Sequence, residues 1–499
     1  MEILDQLLAK ATGVTSNSRE IGPGYIFVAI RGRTTDGNRF AADAALKGAQ
    51  AIVSDCPDNL PPLEIPVLVV PNARRTLAEL AAVFYQHPSR NLSLVGITGT
   101  NGKTTVAFML DHIFRTAGFS TGLIGTISIN IGNVSFPSTL TTPDAATLQQ
   151  YLAAMRQQKV SHAVMEVSAQ GIEMQRVHNV SFSCGILTNV STDHLDFHGT
   201  FPAYLAAKSN FPALLGSEVP LIINNADHYC RTIAARHSGP LITVALEDKA
   251  DITIKILNTN NSNSSFTLTL TNPLPDISSE LKRTDIISLQ LRLPGRHNIE
   301  NAALAAAAAL LHGVSPTILA KALSTFSAVP RRMEIFHHAN ITILDDTALN
   351  PGSINAIFET LCTFPHRHLI VVNAIRGCRG AAINSANALA MANWRQKLSF
   401  SLIITSSLGA TSLNNTVTTD EKSAFLTTLE NSNTPYIFTN TLSSAILSAL
   451  DAANPGDIIA LLGAQGMDDG YKILSQLIHT NRQRTFDQTP LETARIINC

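Results

Sequence analysis

The chain has 499 residues, room for three domains at about 150 residues each. With 45% hydrophobic and 15% charged residues it can build large cores, and its composition is far from that of a disordered protein. A formal net charge of −1 excludes a broadly basic surface of the kind that holds nucleic acid or anionic membrane, but leaves room for a local basic pocket.

Met1 to Thr12 reads as a short amphipathic helix without a basic flank or cleavage site, so no secretory signal is expected. Tyr25 to Ile30 is strand-like, Arg31 to Asn38 a turn, and Phe40 to Lys47 a helix. Strands at Ala51 to Ser54 and Val67 to Val70 complete an α/β unit over residues 1–89, with His87-Pro88-Ser89 as linker. A second domain, 90–328, opens with a strand at Leu92 to Ile97. The helix after it carries Leu110, Ile113, Phe114 and Ala117 at helical spacing and stops at Gly118. Further strands are expected at Ala163 to Val167 and Gly185 to Val190. The polar run Asn258 to Ser265 reads as a hairpin tip between Ile252 to Leu257 and Phe266 to Leu270. Ala302 to Leu311 is a core helix, too short to span a bilayer. The third domain, 329–499, again alternates strands (Ile341 to Leu344, Leu369 to Val372, Phe400 to Thr405, Ile458 to Leu462) with helical patterns. Six cysteines lack any C-x-x-C spacing and are expected to be reduced thiols, mostly buried. The fold class is therefore α/β with three domains. The central one is expected to hold a parallel sheet, and the last a second open α/β sheet. A cytoplasmic monomer with no membrane span and no nucleic-acid partner is expected.

The most informative segment is Gly96 to Thr105, G-I-T-G-T-N-G-K-T-T, between a clean strand and a clean helix. Gly99 and Gly102 let backbone N–H groups turn toward an anion, and the helix N-terminus adds its dipole. Lys103 can reach the β- and γ-phosphates of ATP, and the Thr104 hydroxyl can ligate Mg²⁺. Thr100, Asn101 and Thr105 complete the ATP-binding loop, so the central domain reads as a P-loop parallel-sheet ATPase domain and the last as Rossmann-like. The lysine and paired threonines directly after the glycines set this apart from an ordinary βα turn.

The loop resembles that of the Mur ligases, which build the peptide of bacterial peptidoglycan, most nearly the muramyl-tripeptide synthetases. Other motifs follow in order. Asn17-Ser18-Arg19 resembles D-S-R on the uridine side, and Arg31 to Phe40 resembles the loop that approaches the nucleotide-sugar. Thr139 to Asp144 (T-L-T-T-P-D) is similar to N-T-T-P-D, with Leu140 for Asn, and Met165 to Ser168 (M-E-V-S) matches. Asn189 to Gly199 matches N-x-T-x-D-H-L-D-x-H-G, Gly295 to Asn301 matches G-R-x-N-x-x-N, and Pro330 to Glu334 (P-R-R-M-E) resembles P-G-R-M-E.

The resemblance implies an ATP-dependent ligase that adds an amino acid to a UDP-N-acetylmuramoyl-peptide through an acyl-phosphate. Its substrate side would use Ser18, Arg19, Arg33, Thr34, Thr35, Thr141, Thr142, Ser168 and Arg176. Thr104 and Glu166 would hold one Mg²⁺, and His194 would help to hold a second. Lys208, in Ala203 to Lys208 (A-Y-L-A-A-K), would be carbamylated by CO₂ and become an anionic metal ligand. Lys103, Glu166, His194 and Lys208 form the catalytic set. Asn298 would lie near adenine, Arg332 on ATP and Asp346 on its ribose. The bland alternatives are a solvated helix lysine for Lys208, a helix cap for Asn298 and a strand-end turn for Asp346. His198 reads as a structural or substrate-side group.

The third domain departs from the pattern. Asp346 to Gly352 (D-T-A-L-N-P-G) stands for D-Y-A-H-x-P-D, and Gly463 to Met467 (G-A-Q-G-M) for G-K-G-H-E. The D-N-P-R turn that grips diaminopimelate falls at Ser407-Leu408-Gly409-Ala410 and is absent. Arg376-Gly377-Cys378-Arg379-Gly380 replaces G-G-D-R-D, with Arg379 at the family arginine; Arg376 and Arg379 are candidates to touch an acidic substrate, against a solvated loop. The engine matches and the amine pocket does not. A paralogue joining a different acid and amine, or a non-catalytic nucleotide-binding regulator, are the alternatives. The intact Lys103, Thr104, Glu166, His194 and Lys208 argue against the regulator.

Overall fold

The computed structural model describes residues 2–32, 35–247, 249–272, 285–338 and 340–487, and these form three sheets. The first sheet is parallel, with strands β1 (Gly13–Thr15), β2 (Tyr25–Ala29), β3 (Ala51–Ser54) and β4 (Val67–Val69) in sequence order. The helix Ala73–Phe84 packs on it and contributes Leu77, Leu80 and Ala81 to a core shared with Ala145 and Ala146 of the second domain. Three-residue β1 escapes a hydrophobic-run reading because its only large apolar side chain is Val14. The expected linker at His87-Pro88-Ser89 is a packed turn. Pro88 and Ser89 are buried, and Ser89 Oγ accepts from Ser181 N (3.0 Å).

The second sheet has eleven strands: β5 (Ser93–Thr98), β6 (Thr121–Ile124), β7 (Ser128–Ile131), β8 (Val134–Pro137), β9 (His162–Glu166), β10 (Cys184–Leu187), β11 (Leu221–Asn224), β12 (Leu241–Leu246), β13 (Ile252–Thr259), β14 (Ser264–Leu270) and β15 (Ile286–Leu291). Their order is β15-β14-β13-β12-β11-β10-β5-β9-β6-β7-β8. The block from β13 to β6 is parallel, and antiparallel pairs extend both edges. Strands buried on both faces read as continuous apolar runs, and β5 does so: Val95 and Ile97 enter one core, Leu94 the other. The helix Lys103–Thr116 buries Val106, Met109, Leu110, Ile113 and Phe114, one helical stripe. Gly118 ends it with φ +86°, a left-handed position that glycine takes without strain. The Ala-rich helix is longer than expected, Arg296–Leu311. Its small side chains let it lie against Lys103–Thr116 in the same core. The hairpin tip is narrower than its polar composition implies, because β13 and β14 carry their ladder through Asn258 and Thr259 to Ser264 and Ser265.

The third sheet comprises β16 (Glu334–His338), β17 (Ile341–Asp346), β18 (Leu369–Ala374), β19 (Ser401–Thr405), β20 (Ile437–Thr439) and β21 (Ile458–Leu462), ordered β16-β17-β21-β18-β19-β20. Only β16 is antiparallel to its neighbour, and apolar cores cover both faces. Of the five described cysteines, all free, only Cys184 and Cys230 are buried; Cys362 and Cys378 are exposed, so most are not small core hydrophobes as expected. No helix among the described residues is long and apolar enough to cross a membrane.

Candidate functional site

Open parallel sheets bind ligands beyond the carboxyl ends of their strands, where the strand order reverses. In the second sheet that point is β5, flanked by β9 and β10. Glu166 ends β9, and Gly99 and Thr188 directly follow β5 and β10. A cleft of about 740 Å³ opens there, closed from the other side by strand ends and loops of the third domain. Gly99 to Thr105 line it, as do Thr141, Thr142, Ser168, Arg176, His194, Lys208, Asn298, Arg332, Asp346 and Arg379. Ser18, Arg19 and Thr35 lie on the first domain outside this lining; Arg19 and Thr35 are exposed. Arg33 and Thr34 fall outside the described residues.

The loop is held by close backbone approach. Gly99 has φ +145°, and a Cβ there would sit 1.9 Å from Thr188 Oγ1; one at Gly102 (φ +87°) would sit 2.4 Å from Asn301 Oδ1. Thr100 N donates to Asn189 O (2.8 Å) and Asn101 N to Asn189 Oδ1 (2.9 Å). Lys103 Nζ donates to the carbonyls of Gly99 and Thr100 (2.9 Å each). Enclosure lowers the Lys103 pKa, with Glu166 and Asp193 opposing.

Glu166 is fully buried and accepts from Thr104 Oγ1 (2.9 Å), Thr126 N (2.7 Å) and Thr126 Oγ1 (3.0 Å). A hydroxyl and a carboxylate at this separation, beside a phosphate loop, suit Mg²⁺, which takes one or two protein oxygens and draws the rest from phosphates and water. Thr126 lies outside the motifs and was not legible in them. Thr142 Oγ1 donates to the Glu166 carbonyl (3.0 Å) and accepts from Ser168 N (2.9 Å), and Arg176 Nη1 donates to Thr142 O (2.8 Å). These three residues therefore share one network behind the carboxylate.

Lys208 is 1% exposed, which removes the solvated-lysine alternative. Its Nζ donates to Gly99 O (2.7 Å) and lies over the Tyr204 ring. Burial, then Lys103, pushes its pKa well below the ordinary lysine value, favouring the free amine. His194, at φ +52°, keeps 46% of its side chain open to the cleft. The enclosing walls and the cations Arg376 and Lys103 outweigh Asp193 and lower it to about 4, leaving a neutral ring able to donate a lone pair. The His198 ring is closed from solvent at the cleft wall, its Nδ1 2.8 Å from Glu173 Oε2; burial lowers its pKa, with Glu173 opposing, which makes it a structural contact of a neutral ring. Among the described residues no three His, Cys, Asp or Glu side chains converge on a metal position, so a second cation would need a further ligand beside His194.

Asn298 Nδ2 donates to Pro294 O (2.8 Å), fixing the entry of the helix Arg296–Leu311, while the residue faces the cleft. Asp346, at the end of β17, accepts from Met333 N (2.7 Å). Burial raises its pKa, with Arg332 opposing, and Arg332 in turn bonds Thr347. Arg376 is neither a solvated residue nor free for an acidic substrate. It is 6% exposed, and its Nη1 donates to Asp193 Oδ1 (2.8 Å). Arg379 lines the cleft and is part-buried. The turn at Ser407 to Ala410 presents Leu408 at 63% exposure and Gly409 at φ +79°.

Three family models match in chain order: the Mur ligase family catalytic domain at 10–85, the Mur ligase middle domain at 97–309 and the Mur ligase glutamate ligase domain at 331–465. The UDP-N-acetylmuramoyl-L-alanyl-D-glutamate--2,6-diaminopimelate ligase of Bacillus cereus is 34% identical over 376 residues, 74% of this chain and 73% of that one. The ligase of the same name from Clostridium botulinum is 31% identical over 480 residues, 95% and 93% of the two chains. Among solved structures, the MurF ligase of Thermotoga maritima in complex with ADP shares the fold at TM-score 0.67 and 18% identity, over 95% of this chain and 99% of that one.

Proposed function

The chain belongs to the Mur ligase family, and from that membership we propose that it joins an amino acid to a UDP-N-acetylmuramoyl-peptide in peptidoglycan precursor synthesis. It is an ATP-dependent ligase. An amide cannot form directly from a carboxylate, because oxide is not a leaving group. The substrate carboxylate oxygen attacks the γ-phosphorus of ATP, and the bond to ADP breaks. The amine nitrogen then attacks the acyl carbon, phosphate leaves with the C–O bond pair, and the nitrogen gives up a proton. Both steps crowd negative charge at the loop, where fixed cations and dipoles act with little reorganisation.

Within this scheme Lys103 and the helix N-terminus face the β- and γ-phosphates. Thr104 and Glu166 would hold Mg²⁺, which supplies charge neutralisation at the phosphate oxygens. Asn298, Arg332 and Asp346 take the nucleoside end of ATP. Thr141, Thr142, Ser168 and Arg176 face the acid substrate, and Ser18, Arg19, Arg33, Thr34 and Thr35 its uridine end. We read Lys208 as the site of a carbamate. Its free amine would add to CO₂ with loss of a proton, giving an anion that joins His194 at a second cation position; the burial and low pKa of the amine support this. We place the enzyme in the cytoplasm, as a monomer.

The observation that carries the reading is the convergence of Lys103, the Thr104–Glu166 pair and the buried Lys208 on one loop, across a cleft from the third domain. The test is ADP and phosphate release screened over UDP-muramyl peptides and amino acids. Product amide from one pair is expected; no turnover with any pair would overturn the muramyl-peptide assignment. The turn at Ser407 to Ala410 favours a second reading within the same engine, in which the amine is not diaminopimelate.

A further inference from the structure

One buried set outside the ligase chemistry ties the phosphate loop to the third domain. Asn350 is fully buried and caps the helix Pro351–Leu361, with Oδ1 accepting from Ser353 N (2.9 Å). Its side chain also pairs with Asn101 of the phosphate loop. Asn101 Nδ2 donates to Asn350 Oδ1 (3.1 Å), and Asn350 Nδ2 donates back to Asn101 Oδ1 (3.0 Å). The same Nδ2 donates to Asp193 Oδ2 (2.9 Å). Arg376 reaches the other oxygen of that carboxylate and also donates to Leu349 O (3.0 Å). Asp193 is fully buried; burial alone would raise its pKa, but the Arg376 guanidinium and the Asn350 amide hold it well below the usual carboxylate range.

Both arms are set in place by their own domain. The Asn350 rotamer is fixed by the helix it caps. Arg376 is held by Asn384, whose Oδ1 accepts from Arg376 N (3.2 Å) and whose Nδ2 donates to Arg376 O (2.8 Å). A buried ion pair adds little net stability, since desolvation offsets attraction, but removal of one partner leaves a charge that must find water. Such a pair fixes registry between domains more than it strengthens them.

We propose that Asn350 and Arg376 are positioning residues forming a clasp on Asn101 and Asp193, which couples nucleotide binding at the phosphate loop to the seating of the third domain. The proposal rests on the reading of that loop as the nucleotide site. Because Asn101 sits between the two loop glycines, a shift of the third domain moves a residue of the phosphate cradle, and an ordered cradle favours the seated domain; such coupling is reciprocal.

The test uses Asn350→Ser, Arg376→Met and Arg376→Lys, with Mg·ADP affinity from calorimetry and the radius of gyration from small-angle scattering. Serine keeps the helix cap but cannot span to Asn101 and Asp193. Asn350→Ser and Arg376→Met should each weaken Mg·ADP by about tenfold, the scale of a lost charge-assisted hydrogen bond, and enlarge the radius of gyration. Arg376→Lys should recover part of both. The double variant should be less than additive, because both arms meet on Asp193. A merely structural role would lower the melting temperature and leave affinity and size unchanged. Wild-type affinity and size in both single variants would overturn the clasp. Failure of the wild-type protein to bind Mg·ADP would overturn the nucleotide reading, and the scattering comparison alone would then decide the clasp.

Discussion

Two loops of this molecule share one local design and end in opposite states. Each follows a buried parallel strand, carries glycines and opens a helix: residues 99–102 between β5 and Lys103–Thr116, and 375–380 between β18 and Ala381–Arg395. Such a turn gathers backbone N–H groups into an anion site. In the first, the opening N–H groups of the helix have no intrahelical partner, and Gly102 to Thr105 face the cleft. In the second, the N–H groups of Cys378 (3.0 Å), Arg379 (2.6 Å) and Gly380 (2.7 Å) donate to the carboxylate of Glu421. The chain brings its own anion to the second site. A glycine-bearing turn thus predicts anion affinity, and a residue far along the sequence decides whether the anion comes from outside.

The largest expected effect breaks the first loop. Lys103→Ala should lower ADP formation on the order of 10³-fold, the scale of removing a preorganised charge at a developing anion. The fold should survive, because the glycines, Asn189 and the helix hold the loop independently. Near-normal turnover in a folded variant would remove the lysine from the mechanism. Next comes Lys208. Lys208→Ala should cost about 10²-fold, and bicarbonate or short carboxylates should restore part of it by replacing the lost anion. Lys208→Met, closer in volume, guards against collapse of the buried site and should be equally inactive without rescue. Full activity in both would leave Lys208 a packing residue.

The sequence showed the first loop clearly because strand, glycines, lysine and helix are contiguous there. The matches at Glu166, Asn189 to Gly199 and Gly295 to Asn301 were legible as strings, yet their convergence depends on the order of β10, β5 and β9, which no local pattern encodes. Thr126 escaped notice because a single threonine in a turn carries no periodicity. Arg376 was misjudged for a related reason: its partner Asp193 lies 183 residues away, in another domain. Burial of Lys208 was equally invisible, since a helix of eight residues ending in lysine reads as solvated until Tyr204 and Gly99 are seen against it.

A smaller effect separates the chain from relatives named for diaminopimelate. Leu408, Gly409 and Ala410 offer no charge to a distal carboxylate, and Arg376 is committed to Asp193. Arg379 alone remains at the cleft among the residues of that run that carry a free charge. In competition on one UDP-muramyl-dipeptide, diaminopimelate should lose to small neutral amino acids by roughly 30-fold, near 2 kcal/mol for a carboxylate without its bidentate partner. Strong preference for diaminopimelate would sink this and make Arg379 the relocated anchor. Failure of every amine would point to a different acid.

The smallest effect on turnover, and the sharpest on the comparison of loops, comes from Glu421→Gln. The carboxylate is 2% exposed and also accepts from Thr418 N (2.9 Å), so it is at once the capping-box residue of the helix Thr419–Asn431 and the filler of the 378–380 turn. An amide keeps the shape and one carbonyl oxygen, but its NH₂ would meet backbone donors. The expected cost is about 1–3 kcal/mol of stability, the penalty for buried donors losing a charged acceptor. Burial works to raise the Glu421 pKa, yet the backbone donors prevail and lower it. A lowered carboxylate contributes stability that is present above its unfolded pKa and lost as pH falls through the folded one. The gap in melting temperature between wild type and Glu421→Gln should therefore be widest at neutral pH and shrink as the pH falls through the carboxylate range. Turnover should drop only a few-fold, since the turn reaches the phosphate loop only indirectly, through Arg376 and Asp193, and leaves Lys103, Thr104 and Glu166 in place. A gap that does not change with pH would mean that the turn is held by its backbone and not by the anion inside it.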